Sequence, residues 1–102
     1  MHRIVGAAIG LGLAVWGAVA LADDRGTIVA SCGQTLNLPA GACDCIADKA
    51  MSEFNEAEFA FFMAVITSDS GAQTKLRGDM TVNELTHVGM RMGQMPGECA
   101  RG

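Results

Sequence analysis

An all-α fold is what this sequence predicts: a small bundle of about four short helices stapled by two disulfides, behind a cleavable signal peptide. Three observations carry that expectation. An uncharged apolar stretch, Ile4 to Leu21, opens the 102-residue chain. Two helix-start signatures, Asn55-Glu56-Ala57-Glu58 and Thr81-Val82-Asn83-Glu84, punctuate the remainder. Four cysteines (Cys32, Cys43, Cys45, Cys99) all follow the apolar stretch.

The first 22 residues read as a secretory leader. Met1, His2 and Arg3 give a positive start, and glycines at 6, 10, 12 and 17 interrupt the apolar run. Ala20-Leu21-Ala22 offers small residues where a signal peptidase reads them, and Asp23-Asp24 then ends the run with charge. The expected domains are therefore 1–22, a signal peptide, and 23–102, one small helical domain. The positive mean hydropathy of +0.28 comes largely from the leader. A membrane anchor is the competing reading, but the glycines and the cleavage site argue for removal, and no membrane association is expected afterward. Val29-Ala30-Ser31-Cys32 resembles a lipobox, yet Asp23, Asp24 and Arg25 separate it from the apolar run.

The segment 24–36 has Ile28, Cys32 and Leu36 at helical spacing, although Thr27-Ile28-Val29 could also begin a strand; with no partner strand in view, helix is expected. Pro39 is suited to open a second helix over about 40–53, with Cys45, Ile46, Ala50 and Phe54 on its apolar face. Asn55 and Glu58 then form a capping box, in which each side chain bonds the other residue's backbone N–H. The helix it opens, about 56–67, has Phe59, Phe62, Met63 and Ile66 at i, i+3, i+4 and i+7. Phe61 and Val65 lie roughly 100° from the centre of that stripe, which predicts partial exposure and an interaction surface, for a weak homodimer or for another protein. Residues 68–79 are polar and glycine-bearing, so a loop is expected there, with at most a turn around Gln73 to Arg77. A last helix opens at Thr81, carries Leu85, Val88, Met92 and Met95, and should stop at Pro96-Gly97.

The cysteines locate the chain. An even number in an exported protein predicts disulfides and an oxidising compartment, the bacterial periplasm or the medium. Cys43 and Cys45 would point about 200° apart on one helix, so they need different partners. The preferred pairing is Cys32 with Cys43 and Cys45 with Cys99, and exchanging the partners is the alternative. A redox-active C-x-C is disfavoured because Asp44 and Asp48 would raise the thiol pKa.

Function is far less legible. After the leader, six Lys or Arg face eleven Asp or Glu, a net charge of −5 that argues against nucleic acid and anionic membranes. Four phenylalanines are the only aromatic residues there, which leaves little for stacking bases or sugars. No nucleophile elbow or haem-attachment motif occurs, so no enzyme, cofactor or small-molecule substrate is expected. His87, Met90, Met92 and Met95 form a run whose imidazole and thioether groups suit copper(I). Helical geometry divides them, with Met92 and Met95 toward the core and His87 and Met90 toward the surface, so weak or absent copper binding is expected. The leading expectation is a non-enzymatic exported module acting through protein contacts. Copper(I) handling and thiol redox work are the alternatives.

Overall fold

A computed structural model describes residues 23–101, and they form an all-helical fold of five helices. The expected signal peptide lies outside the described residues. Helix α1 is helical from 23, the first described residue, to 35. It is followed by α2 (Ala42–Glu53), α3 (Glu56–Ile66), α4 (Ser70–Asp79) and α5 (Val82–Arg101). Helix α3 packs against α2, α4 and α5, and α2 packs along α5.

Residues 24–35 of the expected segment are helical, burying Ile28 and Cys32, while Leu36 lies just past the helix at the surface. Helix α2 begins at Ala42, two residues later than expected, because a turn from Pro39 to Ala42 leads into Gly41 at φ 84°. That left-handed conformation suits glycine. At the other end Phe54 turns to extended backbone and is buried, its ring 5.5 Å from that of Phe62.

The α3 capping box forms: Asn55 Oδ1 accepts from the Glu58 N–H at 2.8 Å, and Glu58 Oε1 accepts from the Asn55 N–H at 2.9 Å. Thr81 and Glu84 make the same reciprocal pair at α5, at 2.9 and 3.0 Å. The Asn55 amide also donates to Glu84, so the two helix starts are joined.

Three expectations are corrected. Residues 70–79 form a helix rather than a loop. Asp69 caps it by accepting from the Ala72 N–H, Gln73 donates to the Ala64 carbonyl, and Leu76 packs on the core. This helix changes the burial of α3. Phe61 is 9% exposed, with the Arg77 guanidinium 5.7 Å from its ring centroid. The α3 residues buried most deeply are Phe61, Phe62, Ala64 and Glu58, while Phe59, Met63 and Ile66 are half-buried. Finally, α5 continues through Pro96 to Arg101. Proline removes the N–H that would bond the Met92 carbonyl, an interruption that ordinarily ends or kinks a helix. Here the turn beyond it is tied three ways: Cys99 is bonded to Cys45, Glu98 receives Arg91 from two turns earlier, and Lys49 of α2 lies 3.4 Å from Glu98.

Candidate functional site

The disulfides are Cys32–Cys43 and Cys45–Cys99, with Cα separations of 5.7 and 5.6 Å. One clips α1 to the start of α2, and the other joins α2 to the end of α5. With all four cysteines paired, C-x-C holds no dithiol in this structure.

The second disulfide lies alongside a charged seam. Arg91 donates to both oxygens of Glu98 at 2.8 Å and to Glu53 on α2 at 2.8 Å, and Lys49 approaches Glu98 from α2. The Arg91 hydrogen bonds hold the Glu98 carboxyl down at about 2 and raise the Arg91 guanidinium above its ordinary value. Glu84 is likewise lowered, first by the Thr81 N–H and then by the Asn55 amide. These groups fasten helices to one another.

A second polar contact joins α3 and α5. Glu58 is 7% exposed in its side chain, and its Oε2 lies 2.9 Å from His87 Nδ1. The imidazole stands edge-on to Phe54, with centroids 5.8 Å apart. Local sequence identifies Glu58 as a cap, but its partnership with a histidine 29 residues away has no local signal.

An apolar cleft of about 270 Å³ opens between α1, α3 and α5, with Ile46 of α2 also lining it. Ile28 and Cys32 line it from α1, Phe62, Val65 and Ile66 from α3, and Met92, Met95 and Pro96 from α5, with Leu36 following α1. No lining residue is charged. Two of the hydroxyls at the cleft are already used as donors: Ser31 bonds the Ile66 carbonyl at 3.0 Å, and Thr35 bonds the Ser31 carbonyl at 2.6 Å. The cleft can accept apolar matter, but it presents no charge to fix an ionic head group.

The expected site residues therefore separate. Val65 lines the cleft, whereas Phe61 lies under Arg77 and gives no docking surface, which removes the basis for an interface centred on it. Of the run at His87, Met95 is 1% exposed, Met92 is half-buried in the cleft wall, and Met90 is 55% exposed. The four do not converge. Among the described residues there is no cluster of three His, Cys, Asp or Glu able to hold a metal, and no helix long and apolar enough to cross a membrane. No protein-family model, curated protein or solved structure matches the chain.

Proposed function

We propose that this chain is a non-enzymatic module of the bacterial periplasm or extracellular medium, and that it docks one apolar anchor side chain of a protein partner in the α1–α3–α5 cleft. The observation that carries the reading is an uncharged cleft of about 270 Å³ lined by residues of α1, α2, α3 and α5. That volume falls below the roughly 300–1,000 Å³ of sites that enclose whole small ligands. One leucine, methionine or phenylalanine side chain suits it better, with the rest of the partner lying on the surrounding surface. Burying such an anchor contributes about 1.5–3 kcal/mol. Met92 and Met95 give the wall a deformable character suited to apolar anchors of differing shape.

Two further facts support binding over catalysis. The Glu58–His87 pair fastens α3 to α5, and the Ser31 and Thr35 hydroxyls are committed to backbone carbonyls. The paired cysteines agree with an oxidising, exported environment. The net charge of −5 after the leader favours a neutral or basic partner surface.

The test is selection from a displayed peptide library, followed by methyl NMR titration of the selected peptides. Expected are peptides sharing one large apolar residue, shifts at Ile28, Val65, Met92 and Met95, and loss of binding in Val65→Asp. Methyl shifts produced by a lysophospholipid and by no peptide would identify a small-amphiphile site instead. Undiminished peptide binding in Val65→Asp would show that the cleft is not the docking site.

A further inference from the structure

The part-exposed face of α5 carries His87, which uses one ring nitrogen to hold α3, and Met90, which lines no part of the cleft. His87 keeps 43% of its side chain exposed while its Nδ1 is engaged by Glu58. The buried Glu58 carboxyl accepts from the Asn55 N–H through Oε1 and meets His87 Nδ1 through Oε2 at 2.9 Å. With Nδ1 engaged there, Nε2 is the ring nitrogen left for a further partner. A carboxylate holding one ring nitrogen so that the other can bind is the usual support for a metal-ligating histidine. The edge-on contact with Phe54 restrains the same ring from a second side.

Met90 follows three residues later and is 55% exposed. On a helix that spacing places the two Cβ atoms about 5–6 Å apart on one face. Met92 and Met95 are accounted for by the cleft wall. Arg91, the one cation between His87 and Met92, is held away by Glu53 and Glu98.

We infer that His87 Nε2 and the Met90 thioether form a surface site for a soft monovalent cation, copper(I) or silver(I). An imidazole nitrogen with a thioether sulfur is a donor set that favours such ions over zinc, calcium or magnesium. The harder divalent ions would need more nitrogen or oxygen ligands than are clustered among the described residues. The ion is captured without change of oxidation state. The site comprises two of the four residues in the His/Met run and is independent of the cleft.

The test uses silver nitrate in chloride-free buffer as a redox-inert probe, and copper(I) delivered from a bicinchoninate complex as the second probe. Expected is one ion per chain, with NMR shifts at the His87 ring and the Met90 methyl and none at Met92 or Met95. Met90→Leu, at an exposed position that leaves the fold intact by circular dichroism, should weaken affinity at least tenfold, and His87→Gln should do the same. Glu58→Gln should weaken it by about tenfold through the loss of ring orientation. Zinc should not produce these shifts. Unchanged silver affinity in Met90→Leu, or shifts confined to Met92 and Met95, would overturn the assignment.

Discussion

Removing the long disulfide tests how this fold is held together. The Cys45–Cys99 bond closes a 54-residue separation, and Cys32–Cys43 closes one of 11. In the chain-entropy account these are worth about 4 and about 3 kcal/mol, because the longer loop removes more freedom from the unfolded chain. The long bond also holds the turn of α5 beyond Pro96, where the helix has lost a backbone hydrogen bond. The part-exposed ion pairs between α2 and α5 cannot replace it, since pairs open to solvent are screened and cost side-chain freedom. Cys45→Ala with Cys99→Ala should therefore lower Tm by about 15–30 °C, at roughly 4–8 °C per kcal/mol for a domain of this size. Cys32→Ala with Cys43→Ala should lower it less. Circular dichroism melts give the order, and hydrogen exchange gives the place. Amides 97–101 should lose protection in the first variant and keep it in the second. An equal or larger loss of stability from opening Cys32–Cys43, or persistent protection of 97–101 without Cys99, would falsify the reasoning.

Other substitutions follow from the same contacts. Phe61→Ser should destabilise the domain by about 3–5 kcal/mol in urea titration, as a buried phenylalanine does when truncated, and leave the sedimentation mass unchanged. Asn55→Ala removes the α3 cap and should cost about 1 kcal/mol in the same assay. Because Glu98 has a folded pKa depressed from 4.5 to about 2, its contribution is present above pH 4.5 and is lost as pH falls toward 2. Acid melts should show that loss in the native chain and a smaller one in Glu98→Gln. Expressed with its first 22 residues in a bacterial host, the protein recovered from periplasm or medium should give Asp23 as its first residue by mass spectrometry.

The parts of the fold that were legible rest on interactions spanning four residues or fewer. Asn55 with Glu58 and Thr81 with Glu84 announce two helix starts because each capping box is a closed local exchange of hydrogen bonds. That Cys43 and Cys45 take different partners was legible for a related reason, since two positions apart on one helix they face different neighbours. Which of Cys32 and Cys99 each takes is decided by the packing of α1 and α5. Helix α4 was hidden by its composition. Ser70, Gly71 and Gly78 are poor helix formers, and the Asp69 cap, the Gln73 bond to Ala64 and the packing of Leu76 hold the helix together. With residues 68–79 taken as a loop nothing covers Phe61, so its expected exposure follows from the absence of α4 in that reading.

Pro96 makes the same point at the other end of the chain and bears directly on the cleft. Read locally, it stops a helix. In the structure the α5 backbone passes through it because Cys99, Glu98 and Lys49 bind the next turn from outside. That continuation keeps Met95 in the core and sets Met92 and Pro96 against Val65 and Ile66 across the opening. The cleft is thus a product of long-range ties, as each wall comes from a helix whose position is fixed by a residue distant in sequence. Ser31 reaches the Ile66 carbonyl across 35 positions, and Cys45 reaches Cys99 across 54. No spacing rule along the chain could have drawn Ile28, Val65 and Met92 together. His87 differs in degree only: its outward place on α5 was legible from the helical period, whereas the carboxylate that orients it required the packing of α3 against α5.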